Sequence, residues 1–157
     1  MTTPTFVSLD IVPNWQRMNE TIVRLVDYIP ADKLDWSPKP ELWNFKGILI
    51  HICSARHNWM ARDVKDGDQS PDVIHEAQTK EGIKRHLHLS WHRLERFLRN
   101  PAQLAASYVS DHEDGQQYSH TGHWIAYHLL EHDLHHRADI FHYLALLGIE
   151  TPEVGTP

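Results

Sequence analysis

Three histidines could share one divalent metal ion: His51, and the pair His132 and His136 four residues apart. The run His-Leu-Leu-Glu-His-Asp-Leu-His-His-Arg at 128–137 places four imidazoles within about two and a half helical turns. Side chains at i and i+4 project from one helix face and lie close enough to bind one ion. A third imidazole from a neighbouring helix would complete a three-nitrogen site with open positions, the arrangement of a catalytic or ligand-binding metal rather than a structural one.

Spacing alone does not select these residues, because the chain carries 14 histidines. His88 with His92, and His128 with His132, share the same separation. Placement on the helix decides between them. At about 100° per residue with His132 at zero, Ile125 and Tyr143 fall near +20°, His136 near +40°, and Leu129 and Leu147 near +60°. His128 and His135 fall about 40° and 60° to the other side, at the edge of this stripe. His51 shares a face with Ile48, Ala55, Trp59 and Arg62, whereas His57 points about 120° away and Cys53 about 200° away. His86, His88 and His92 lie about 100° or more from the Leu87–Leu94 stripe and are expected to face solvent. The metal ligands expected are therefore His51, His132 and His136. Asp139 and Asn58 fall near their faces as partners for the second ring nitrogens, and Tyr127 or Tyr143 as a proton donor. Ordinary hydrogen-bonded burial of the same rings is the competing explanation.

The elements that must position these side chains read as four amphipathic helices. Apolar residues spaced three or four apart mark one from about Asp10 to Ile29, with Pro13 tolerable in its first turn and Pro30 ending it. Asn44 caps a second, Phe45 to Val64, and Thr79 a third, to about Arg99. A polar segment, 110–117, follows a possible short helix. Thr121 begins the fourth helix, which runs to Leu147 and stops at Gly148. No strand pattern emerges, and the segment from Thr151 to Pro157 reads as a surface tail. The fold class expected is all-α, a four-helix bundle in one domain spanning 1–157, with sites between helices.

Composition narrows the partners. The chain has 157 residues, 41% hydrophobic and 23% charged, with a formal net charge of −6. It lacks the basic footprint of a nucleic-acid binder, and no apolar run suits a membrane span. Cys53 is the single cysteine, so no intrachain disulfide forms, and no signal-peptide pattern opens the sequence. A cytoplasmic location is expected.

Two segments resemble the DinB/YfiT-like family of metal-binding four-helix bundles. Trp43-Asn44-Phe45-Lys46-Gly47-Ile48-Leu49-Ile50-His51 resembles the family's run into its first metal histidine. His132-Asp133-Leu134-His135-His136-Arg137-Ala138-Asp139-Ile140 resembles its His-x-x-x-His-Arg-Gly-Gln-Ile signature, and Leu34-Asp35-Trp36-Ser37-Pro38 fits its lead into the second helix. Ala138 and Asp139 replace the frequent Gly-Gln, and Asn44 the frequent Ser. The likeness implies a divalent ion at His51, His132 and His136, zinc or nickel first and iron or manganese next, and a homodimer. It also implies thiol S-transfer or isomerisation with a low-molecular-weight thiol such as bacillithiol or mycothiol. Metal-dependent hydrolysis of a small molecule, a non-catalytic metal- or ligand-binding bundle and a purely helical interaction module are the alternatives.

Overall fold

The computed structural model describes residues 10–111 and 115–151. The expected tail beyond Thr151 and part of the 110–117 segment lie outside them. Four long helices form the body: α1 (Val12–Tyr28), α2 (Phe45–Asn58), α4 (Lys80–Leu98) and α6 (Gly122–Leu146), with two short ones, α3 (Val73–Glu76) and α5 (Pro101–Ala105). Each long helix starts where the sequence supplies a cap or a first-turn proline. Pro13 lies in the first turn of α1. The side chains of Asn44, Thr79 and Thr121 accept hydrogen bonds from the backbone N–H of Gly47, Gly82 and Trp124, satisfying donors the helices leave open. Gly148, at φ 71°, terminates α6 in a left-handed turn, and the Ile149 N–H reaches back to the Leu144 carbonyl at 3.0 Å.

The apolar stripes meet in one core. Trp15, Ile22 and Leu25 of α1, Ile48, Leu49 and Ile52 of α2, Ile83, Leu87 and Leu94 of α4, and Ile125, Leu129, Ile140 and Leu144 of α6 are all buried. The long second helix expected to reach Val64 does so, but its last stretch, Trp59–Val64, winds as a π-helix that ends at Lys65 with φ 56°. The wider turn rotates the helix end, so Asp63 is buried while the Arg62 side chain remains 54% exposed.

Two expectations change. The segment after α5 is not irregular. Ser107–Asp111 (β1) pairs antiparallel with Gln117–Thr121 (β2), Tyr108 facing His120 and Ser110 facing Tyr118. Only Ser110 of these ten residues is buried, so the hairpin has no hydrophobic alternation to betray it. His86 does not face solvent. His86 is fully buried with Nε2 3.2 Å from Glu76, because α3 folds over that face of α4. His57 is buried with Nδ1 3.3 Å from Arg93, whose guanidinium also binds Asp66 and the Gln69 carbonyl. His88 and His92 are exposed, as expected.

The start of α6 is wedged against α5. The Gly122 N–H donates to the Ala106 carbonyl at 2.9 Å, and a Cβ there would collide with the backbone of Gln103 and Leu104. Gly122→Ala is expected to cost about 3 kcal/mol, the upper end for overpacking, because rigid backbone rather than a side-chain tip must give. Urea unfolding of the two proteins measures it, and an unchanged midpoint would contradict the close approach.

Candidate metal centre

His51 stands on α2 and faces α6, where His132 and His136 occupy successive turns. The ring centroids are 4.7 Å apart for His51 and His132, 5.0 Å for His51 and His136, and 4.6 Å for His132 and His136. One nitrogen from each ring lies within 4.8 Å of the others. The Nε2 atoms of His51 and His132 are 2.8 Å apart, a distance at which one ring donates and the other accepts. Two nitrogens bound tetrahedrally to zinc at about 2.0–2.1 Å stand about 3.3 Å apart, so these two atoms would have to part by about half an ångström to share an ion.

The second ring nitrogens favour the same reading. His136 Nδ1 lies 3.1 Å from Asp139 Oδ2, which holds the proton on Nδ1 and leaves the Nε2 lone pair directed elsewhere. His132 Nδ1 is buried without a hydrogen-bond partner, its nearest carboxylate oxygen being Asp133 Oδ1 at 3.8 Å. With His132 Nε2 turned toward His51, the unpaired Nδ1 is the nitrogen left to carry a proton if Nε2 binds an ion. Asn58, weighed as a partner for His51, is exposed instead. His135 is mostly exposed, and its Nε2 is 3.7 Å from Asp139.

Electrostatics favour the neutral form of His51 and His136, the form that binds a metal. Burial, reinforced by His132 and His136, pushes the pKa of His51 down to about 4. Burial and His132 lower that of His136 against the opposing pull of Asp139. Protons therefore compete for His51 only well below the ordinary 6.5. Proton competition at His51 is expected to weaken metal retention only as pH falls well below 6.5 toward about 4. Folding stability follows the same sign at His57, which burial and Arg93 lower to about 4. The unfolded chain takes up the proton first, so this contribution is complete above 6.5 and disappears as pH falls toward about 4. Metal retention and urea midpoints measured across that interval check both, and a His57→Gln variant should show the shallower stability curve.

Beneath the triad lies a buried polar group that the sequence did not announce. Arg56 and Asp133 are both fully buried, with Nη2 2.8 Å from Oδ2. Trp15 Nε1–H donates to the same oxygen at 2.7 Å, and Arg56 Nη1 donates to Asn19 at 2.8 Å and to Ser90 at 3.3 Å. Burial alone would raise the carboxyl of Asp133, but Arg56 and the surrounding donors outweigh it and hold the group below its usual range. All four long helices contribute to this knot, and Asp133 directly follows ligand candidate His132.

The triad borders a cleft of about 420 Å³ lined by Glu41, Leu42, Trp43, Ile48, His135, His136, Asp139 and Tyr143. The Trp43 ring lies 4.3 Å from that of His51 and stacks on His136 at 5.8 Å. Tyr143 is held by Trp36 and Phe45, and burial with Asp139 nearby raises its pKa, so its hydroxyl keeps its proton. Tyr127 is 62% exposed and takes no part in the cleft. Cys53 points into the core, where burial raises its thiol to about 12.

Comparison with known proteins gives one family and a shared fold. The profile of the DinB family matches residues 1–157. A DinB-like protein of Bacillus subtilis is 21% identical, with a TM-score of 0.68 over 91% of this chain and 95% of its own. A DinB-like protein of Bacillus cereus is 15% identical, with a TM-score of 0.70 over 92% and 95%. No curated protein matches. Among the described residues, no helix is long and apolar enough to cross a membrane.

Proposed function

Because the chain belongs to the DinB family, we propose that His51, His132 and His136 hold a divalent ion, zinc or nickel before iron or manganese, and that the protein transfers a small thiol to an electrophile. The observation that carries this reading is the convergence of three imidazoles beside an open cleft. Neutral nitrogen ligands leave the full charge of such an ion to lower the pKa of a thiol or water that binds it. Asp139 holds His136 in the tautomer that presents Nε2, and Trp43 fixes the ring planes of His51 and His136. Trp43, Leu42 and Ile48 give the cleft apolar surface on which the carbon chain of the thiol rests. Sulfur displaces a leaving group from the electrophilic carbon. The thiol proton passes to solvent, and Tyr143 donates a proton to the departing group and regains one from solvent. Small-molecule substrates and a homodimer in the cytoplasm complete the proposal.

The test is the metal content of the full chain purified without added metal, followed by thiol transfer to a chlorodinitrobenzene with and without chelator. About one divalent ion per chain and chelator-sensitive transfer are expected. Failure to take up zinc or nickel even on soaking would overturn the metal, and a loaded but inactive protein would overturn the transfer.

A further inference from the structure

The cleft beside the triad is acidic. Glu41 and Asp139 both line it, and no lysine or arginine does. The nearby Lys46 is drawn aside by Asp35, with Nζ 2.7 Å from Oδ1. Trp43 forms another wall with its indole 49% exposed. An aromatic face beside two carboxylates, above apolar Leu42 and Ile48, attracts an organic cation through the ring quadrupole and through charge. An anionic substituent at that end of the cleft meets two like charges and no lysine or arginine in the lining.

Resting on the thiol-transfer reading, we infer that the thiol taken by this site carries an ammonium group, seated between Glu41, Asp139 and the Trp43 ring while its sulfur lies toward the triad. The ion's charge acts on the sulfur, and the carboxylates act on the far end of the molecule. The two preferences are separable because they concern different atoms of the ligand. Asp139 is the partner of His136, so Glu41, exposed and outside the ligand set, is the residue to vary.

The experiment loads the full chain with cobalt and titrates it with cysteamine and with 2-mercaptoethanol, following the thiolate-to-cobalt charge-transfer absorption. Comparing Glu41→Gln with the parent cancels the intrinsic acidities of the two thiols. One charge pair at about 6 Å in water corresponds to about a threefold preference, so the affinity ratio of cysteamine to 2-mercaptoethanol is expected to fall about threefold in the variant. Raising salt from about 0.01 M to about 0.5 M should shrink the parent's ratio similarly. A ratio unchanged by both the substitution and salt would overturn the inference. If neither thiol produces the absorption, the thiol reading itself fails. The cleft's charge preference is then read from cobalt broadening of the proton NMR signals of propylamine against propanol, where equal broadening overturns it and stronger broadening of the amine, reduced in Glu41→Gln, supports it.

Discussion

Cobalt- or zinc-loaded protein is expected to lose its ion completely when His51, His132 and His136 are all changed to alanine, and to keep it when His88 and His92 are. The two variant sets remove similar imidazole groups and differ in placement. The triad nitrogens fall within 4.8 Å of one another, whereas His88 and His92 are exposed on α4. Removing an outer partner of a ligand lowers affinity about 10–100-fold, so removing one ligand of three should exceed that, and removing all three should leave no measurable site. Equilibrium dialysis with elemental analysis reads the stoichiometry. Retention of the ion by the triad variant, or its loss from the His88→Ala, His92→Ala protein, would place the metal elsewhere.

Arg56→Ala is expected to be among the most damaging single substitutions in the chain, at about 3–5 kcal/mol. It strands the Asp133 carboxylate, fully buried, with only Trp15 Nε1–H at hydrogen-bond distance from its side chain. Domains of this size hold about 5–15 kcal/mol in total, so the loss is a large share of the whole. Arg56→Met with Asp133→Leu removes both charges at once and should recover more than half of the lost stability, since the stranded charge rather than the missing attraction dominates the penalty. The double variant should nevertheless bind metal more weakly than the parent, because the negative charge 3.8 Å from His132 Nδ1 is gone. Urea midpoints and metal titrations on the same three proteins separate the two effects. If the double variant is no more stable than Arg56→Ala, the cost lies in packing and not in charge.

The four long helices were legible because their ends carry local chemistry. Asn44, Thr79 and Thr121 cap, and Gly148 stops α6, all through groups within a few residues of the boundary. The triad was legible as a histidine pattern on α2 and α6, and the structure brings its three members together. The buried face was located less well, because it was measured from the histidines. On α6 the buried residues Leu129, Asp133, Ile140 and Leu144 centre about 90° round from His132, and on α2 Arg56 sits about 140° from His51. The imidazoles therefore mark the rim of the packed face, and charged residues occupy its middle. Hydropathy reads Arg56 and Asp133 as surface. Only their positions among Phe45, Leu49 and Ile52, and among Leu129 and Ile140, signal that each needs a partner. The burial of His57 and His86 was hidden for another reason: it depends on α3 and the 66–69 segment folding back over α2 and α4, which no periodicity within those helices records.

The polar knot has a bearing on how this chain can change. Trp15, Asn19, Arg56, Ser90 and Asp133 fix how far each helix slides along its neighbours, since a shift by one turn, about 5.4 Å, would break every one of those hydrogen bonds. None of the five lines the cleft. The groups that align the bundle are thus separate from those that line the cleft, so Glu41 and Leu42 are open to replacement without loss of helix registry. A library randomised at those two positions, with Trp43 kept because it packs on His51 and His136, would be expected to yield mostly folded proteins.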